Sequence, residues 1–319
     1  MTLEQIGFYT LSEARARTSS ATTPLMRAEL LLGARCNFHC PYCRSIGGKD
    51  LSYEQAEAMV DVFIAEGLKN LRLSGGEPTL WPHLIRLVRH AKEGGIERIA
   101  ISTNGSAPQD LYRELIASGV NDFSISLDAC CAEDGDKMAG GVKGAWDTVV
   151  QNIRDLSPLT YVTVGVVLTE ANASRINDTI QFAHDLGVSD IRVIPAAQCG
   201  TQLQDVHVSA DLLDAHPILA YRIAKMQAGE SVRGITATDT HKCRLVVDDV
   251  AVMEGQHYPC IIYMRERGAA IGPVGPTLRQ DRVRWMQAHD THADPICAAN
   301  CLDVCIQFNN RKEWYANQN

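Results

Sequence analysis

The stretch AELLLGARCNFHCPYC, residues 28–43, runs an apolar, strand-like segment straight into three cysteines, Cys36, Cys40 and Cys43. A closed structural zinc site takes four ligands, so three thiols on one loop point to a metal centre with one position open for chemistry. The loop alone also permits a zinc site completed by His39, or simply buried thiols.

Outward from this stretch, β-rich apolar runs alternate with segments of helical periodicity up to about residue 195. After AELLLGA comes SYEQAEAMVDVFIAEG, with Ala56, Met59, Val60 and Phe63 on one face and a Ser52/Gln55 capping box at its start. The next strands read NLRLS, RIAIS, DFSISL, YVTVGVVL and DIRVIP, with helices predicted near 82–94, 109–119, 143–156 and 174–186. Six βα-type repeats argue for a parallel sheet, too few for a complete eight-stranded barrel but enough for an open one. The expected fold is therefore α/β, an open partial (β/α)6 TIM-like barrel.

Ligands of such sheets lie beyond the carboxyl ends of the strands. The segments after the six strands are RCNFHCPYC, GGEPT, TNG, DACC, TEAN and AAQC, which gathers the N-terminal cysteines and most of the unusual polar residues at one mouth. The expected organisation is an N-terminal extension (1–25), the barrel (26–208), a connecting helix (209–236), a small cysteine-rich domain (237–310) and a tail (311–319).

Eleven cysteines without a secretory signal are poorly explained by disulfides, and an odd number would leave one over. Three fall in the first loop and five between 243 and 305, so two metal sites are expected. A net charge of −8 and the lack of any long Lys/Arg run argue against a nucleic-acid partner. No signal peptide and no apolar run of membrane-spanning length is evident, so a cytoplasmic location away from membranes is expected.

Cys36-x3-Cys40-x2-Cys43 with Tyr42 before the last cysteine, followed by GGEP, STNG and SLD at successive strand ends, resembles the radical S-adenosylmethionine (SAM) superfamily. That resemblance implies a 4Fe-4S cluster on Cys36, Cys40 and Cys43, with SAM chelating the fourth iron and yielding a 5′-deoxyadenosyl radical on reduction. It implies that Tyr42 lies over the adenine, that Gly75, Gly76 and Glu77 meet the methionyl amino group, and that Ser126 and Asp128 take the ribose or carboxylate with Asn104 nearby. Relatives often carry an Arg shortly after the fourth strand; here Lys137 is the nearest substitute. An electron donor such as flavodoxin or ferredoxin is implied as a partner.

Cys243-x11-Gly255-x4-Cys260 is similar to the hairpin that opens SPASM and twitch domains, which hold auxiliary iron–sulfur clusters. With Cys297, Cys301 and Cys305 the only later cysteines, five thiols cannot ligate two complete clusters, so one auxiliary 4Fe-4S cluster is expected. Cys243 and Cys260 would be joined by two of the three distal thiols; a zinc ribbon is the alternative. Cys130, Cys131 and Cys199 lie at the expected mouth and are candidate catalytic hydrogen-atom donors, although free cysteines are commonly just small buried hydrophobes.

The function expected from these features is hydrogen abstraction from a small-molecule substrate. A sugar, aminosugar or nucleoside intermediate of natural-product (antibiotic) biosynthesis is expected, followed by epimerisation, dehydrogenation or decarboxylation. Only about 25 residues precede the first strand, which places peptide modification second. A non-catalytic iron–sulfur or zinc scaffold is the remote third reading.

Overall fold

A computed structural model describes residues 8–44, 47–196 and 206–318. The strands are β1 (Arg27–Leu31), β2 (Asn70–Ser74), β3 (Arg98–Thr103), β4 (Asp122–Ser126), β5 (Tyr161–Leu168) and β6 (Asp190–Pro195). They pair in parallel in chain order, leaving an open rather than a closed barrel. Helix α1 (Glu13–Thr18) precedes β1. The crossovers carry α2 (Tyr53–Ala65), α3 (Leu84–Glu93), α4 (Gln109–Ser118), α5 (Ala132–Met138), α6 (Ala145–Leu156) and α7 (Ile176–Asp185). The expected capping box is present: the Ser52 hydroxyl accepts from Gln55 N–H, and the Gln55 side chain accepts from Ser52 N–H.

Strand alternation explains the two faces of the sheet. Leu30, Leu71, Leu73, Ile99, Ile101, Phe123, Ile125, Val162, Val164, Ile191 and Val193 are buried in one core with Leu87, Leu115, Ile153 and Ile180 of the helices. Each such side chain contributes roughly 1.5–3 kcal/mol by leaving water. The residues between them, among them Glu29, Arg72, Ser102, Ser124 and Arg192, occupy the opposite face and give the barrel a polar, charged lumen.

The segment ADLLDAHPILAYRIAKMQAG reads as one helix but forms two, α8 (Ala210–Ala215) and α9 (Pro217–Gln227). Pro217 cannot donate into a continuing helix and instead takes the first turn of the second one.

Beyond α9 the sheet continues. β7 (Asp249–Met253) pairs in parallel with β1, followed by β8 (Gln256–Tyr258) and a two-residue β9 (Gly272–Pro273), both antiparallel. The nine-stranded order is β6-β5-β4-β3-β2-β1-β7-β8-β9. The β7–β8 turn holds Glu254 and Gly255 at φ 50° and 76°, the left-handed pair that a tight hairpin requires. Helices α10 (Ile261–Arg265), α11 (Leu278–Ala288), α12 (Pro295–Asn300) and α13 (Asp303–Ala316) complete this region.

Buried Arg282 fastens the hairpin to α11, donating to the carbonyls of Val246, Asp249, Tyr258 and Pro259 and to His257 Nδ1 at 3.1 Å. The N-terminal segment packs on the same region: Tyr9 is buried edge-on to Phe308, and Arg15 pairs with buried Asp248.

Candidate functional site

The cysteine loop leaves β1 and is held from two sides. Gly76 N–H donates to Gly33 O at 2.9 Å and Glu77 N–H to Arg35 O at 2.7 Å, so the GGEP loop lies backbone to backbone against it. A Cβ at Gly76 would fall 2.2 Å from Arg35 O, which only glycine avoids. On the far side His39 N–H donates to Ala139 O at 3.0 Å, and a Cβ at Gly140 would meet His39 O at 2.5 Å.

Cys36 and Cys43 are exposed and Cys40 is half-buried, with Cys43 N–H turned back on Cys40 O at 2.9 Å. The three thiols feel one another electrostatically, yet they do not all lie within 4.8 Å of one another. Ligands of one tetrahedral zinc, with bonds of about 2.3 Å, would sit closer than that. The spread and the soft donor set therefore fit an iron–sulfur cluster better than a single ion. Burial pushes the Cys40 thiol up to about 11, so loading a metal here displaces protons.

Glu77 is engaged by the loops around it. It is buried, and its Oε1 accepts from Thr79 N–H (3.0 Å), Thr79 Oγ1 (2.7 Å) and Thr103 Oγ1 (2.7 Å), while Oε2 accepts from Asn104 N–H at 2.7 Å. The carboxylate is thus occupied in tying the GGEP loop to the STNG loop. Burial raises its pKa against the pull of these bonds. Asn104 in turn donates through Nδ2 to Asn37 Oδ1 at 2.8 Å, inside the cysteine loop.

Tyr42 donates its hydroxyl to Asp128, which also accepts from Val167 N–H at 2.7 Å. Asp128 is buried and its pKa is raised to about 6 by desolvation. The pair anchors the last cysteine's loop to the ends of β4 and β5. Ser126 is exposed at the end of β4. Lys137 is paired with Glu133 at 2.8 Å on the exposed face of α5, so it does not supply the missing cation at the mouth. Cys131 Sγ contacts Asp134 and Arg175 Nη1, the latter at 3.1 Å, at the partly exposed start of α5. Cys199 lies outside the described residues.

The five C-terminal cysteines converge. Cys243, Cys260, Cys297, Cys301 and Cys305 all line one cleft of about 670 Å³, walled otherwise by apolar groups such as Leu245, Ile262 and Leu302. Desolvation raises the pKa of every one of these thiols, Cys260 to about 12. A dry pocket of soft donors of this kind suits a metal cluster that neutralises the thiolates. His289, which in the sequence is one of several scattered histidines, stacks on Trp285, and with Asp294 it approaches Cys297 closely enough for the three to share one ion.

Several buried or half-buried arginines are engaged around these elements. Arg72 donates to Ser102 Oγ at 2.8 Å and lies 3.6 Å from Asp122; Arg222 pairs with Asp303 at 2.7 Å; Arg44, next to Cys43, is bidentate on Glu266. Arg192 reaches Ser124 Oγ at 3.4 Å, and Arg233 bridges to Leu302 beside Cys301. Only Arg72 and Arg192 carry a sequence signal, the alternation of LRL and IRV in β2 and β6.

Residues 30–183, the barrel with its cysteine loop, match the Radical SAM superfamily. The chain carries a radical SAM domain. It is 31% identical, across 196 residues, to a GTP 3′,8-cyclase of Mesorhizobium japonicum, covering 57% of this chain and 58% of that one. It is 28% identical over 198 residues to a probable GTP 3′,8-cyclase of Sulfurisphaera tokodaii, covering 60% and 63%. The chain thus spans less than two thirds of the length of these relatives. Two solved structures share the fold. Streptococcus suis SuiB bound to S-adenosylmethionine has a TM-score of 0.60 at 16% identity, covering 86% of this chain and 67% of its own. Native anSMEcpe with bound AdoMet has a TM-score of 0.58 at 14% identity, covering 92% and 97%.

These similarities correct the expected function. The relatives that cover 57–60% of this chain are named GTP 3′,8-cyclase, not for an enzyme of sugars, aminosugars or antibiotic intermediates. The epimerase, dehydrogenase and decarboxylase expectations fall with it. The superfamily implies SAM and one 4Fe-4S cluster. Among the described residues no helix is long and apolar enough to cross a membrane.

Proposed function

We propose that this chain is a radical SAM enzyme that holds its catalytic cluster on Cys36, Cys40 and Cys43 and acts on a phosphorylated purine nucleoside of the GTP type. The observation that carries the reading is the mouth itself: a three-thiol loop, spread too widely for one ion, clamped between the GGEP loop and α5. The substrate class draws support from the names of these relatives and from the arginines Arg72 and Arg192 of the barrel lumen.

When bound, the reduced cluster and SAM supply the 5′-deoxyadenosyl radical. The chain's own contribution is positioning. Gly75 and Gly76 present backbone to the methionyl end of SAM, while Asn104 and Ser126 line its ribose side. Tyr42, fixed by Asp128, packs near the adenine. Glu77 serves as the tie that holds these loops in register. The C-terminal cleft holds a second four-iron cluster on Cys243, Cys260 and two of Cys297, Cys301 and Cys305, and a flavodoxin or ferredoxin supplies electrons.

The test is anaerobic reconstitution with iron and sulfide counted per chain, and 5′-deoxyadenosine and GTP consumption assayed with dithionite. The expected result is about eight irons for two four-iron clusters, and about four irons with no SAM cleavage after Cys36, Cys40 and Cys43 are all changed to Ala. Zinc in place of iron, or SAM cleavage surviving the triple change, would overturn it.

A further inference from the structure

Five thiols line the C-terminal cleft, and a four-iron cluster takes four of them. Cys297 differs from the others in its company. Its Sγ lies 3.6 Å from His289 Nε2, and the same nitrogen lies 3.7 Å from Asp294 Oδ2. The ligand atoms of these three residues all fall within 4.8 Å of one another, the one such group of His, Cys, Asp or Glu side chains among the described residues. Cys260 and Cys243, by contrast, have Tyr263 N–H and Asn309 Nδ2 as hydrogen-bond donors to sulfur.

The spacing is that of ligands around one ion. With bonds of about 2.3 Å to sulfur and about 2.0–2.2 Å to nitrogen and oxygen, tetrahedral angles put neighbouring donor atoms roughly 3.4–3.6 Å apart. Each donor is also held from outside the group. His289 closes α11, and its ring stacks on Trp285 with centroids 3.9 Å apart at 18°. Asp294 caps α12, its Oδ1 accepting from Ile296 N–H at 2.8 Å and Cys297 N–H at 3.0 Å. Its Oδ2, the oxygen that faces His289, accepts from the Tyr263 hydroxyl at 2.9 Å. Outer hydrogen bonds of this kind orient carboxylates that bind metals. A carboxylate, a thiolate and a neutral imidazole together carry two negative charges, which a divalent ion cancels.

We propose that His289, Asp294 and Cys297 form a mononuclear site for a divalent ion of the zinc class, at the wall of the cleft that Cys297 lines. Mixed nitrogen, oxygen and sulfur donors suit zinc, and three protein ligands leave a fourth position to water or another ligand. Cys297 is thereby withdrawn from the second cluster, which falls to Cys243, Cys260, Cys301 and Cys305. That cluster assignment rests on the proposed two-cluster reading; the ion site does not.

The experiment adds Zn2+ to the anaerobically reconstituted protein, counts zinc and iron per chain, measures zinc affinity against a competing chelator and records zinc K-edge X-ray absorption. It compares wild type with His289→Ala, Asp294→Asn, Cys297→Ala and the exposed control His207→Ala. Wild type is expected to hold about one zinc beside about eight irons, with one sulfur at about 2.3 Å and the remaining ligands nitrogen or oxygen at about 2.0–2.2 Å. His289→Ala, Asp294→Asn and Cys297→Ala should each weaken zinc at least tenfold and keep the iron, and His207→Ala should change neither. His289→Ala, which leaves every thiol in place, decides the matter should Cys297→Ala fail to fold. Wild type without zinc, zinc surrounded by several sulfurs, or zinc held as tightly by His289→Ala overturns the site. Loss of about four irons from folded Cys297→Ala returns that thiol to the cluster and overturns it too. One zinc of the expected ligation beside only about four irons leaves the ion site standing while the two-cluster reading falls.

Discussion

Changing Glu77 to Gln separates two roles for one carboxylate. If Glu77 is the tie between the GGEP and STNG loops, the substitution turns four hydrogen bonds to a charged acceptor into bonds to a neutral amide. It also sets an NH2 group against either Asn104 N–H or the Thr79 and Thr103 donors, since one amide cannot accept on both sides. A hydrogen bond to a charged group contributes about 1.5–3 kcal/mol and a neutral one about 0.5–1.5 kcal/mol. Relief of the burial cost of the charge offsets part of this. The net loss expected is about 2–4 kcal/mol, or roughly 3–6 °C in apparent melting temperature for a chain of 319 residues. The assay is a melt of the apoprotein, where no cluster contributes, with SAM affinity of the reconstituted enzyme measured in parallel. A melting temperature within about 1 °C of wild type together with SAM affinity lost tenfold or more would refute the tie and return Glu77 to the ligand.

Three further outcomes are expected from contacts elsewhere. Asp303→Ala strands the buried Arg222 guanidinium and should cost about 3–5 kcal/mol in denaturant unfolding, unhinging α9 from α13. His257, buried beside Arg282, has its pKa lowered to about 3, so the folded chain binds fewer protons than the unfolded one between about pH 3 and 6.5. Its contribution is therefore complete above about pH 6.5 and lost as pH falls, at up to roughly 1.4 kcal/mol per pH unit; His257→Asn should flatten the melting temperature over that window. Cys131→Ser should leave SAM cleavage and product formation unchanged, because its thiol is engaged with Asp134 and Arg175 at the start of α5; loss of product with cleavage intact would restore it as a hydrogen donor.

The barrel was legible because its strands and helices obey their own periods: all six strands and the helices at 84–93, 109–118, 145–156 and 176–185 fall where alternation and amphipathicity put them. The mouth was legible because unusual residues collect after the strands. The contacts of Glu77 were not legible, because nothing in GGEP reveals that Thr79, Thr103 and Asn104 surround its carboxylate; that is a tertiary fact. Arg72 and Arg192 were visible in LRL and IRV, but they lie within the strands rather than in the loops beyond their carboxyl ends, where the ligands of such a sheet are sought, and Arg222 and Arg233 lie on and after α9. The parallel pairing of β7 with β1 has no local signal at all, since it joins residues more than 200 positions apart.

That pairing has a consequence for how the chain comes to be folded. β1 sits inside the finished sheet, yet the strand that covers one of its sides is synthesised after the whole barrel segment has emerged. Until then β1 presents a bare, apolar strand edge directly beside the loop of Cys36, Cys40 and Cys43. A nascent barrel is therefore both open to pairing with another chain and open to cluster insertion from its side. Arrival of β7 closes the edge to pairing with another chain, while the loop of Cys36 and Cys43, still exposed in the finished fold, stays open to cluster loading.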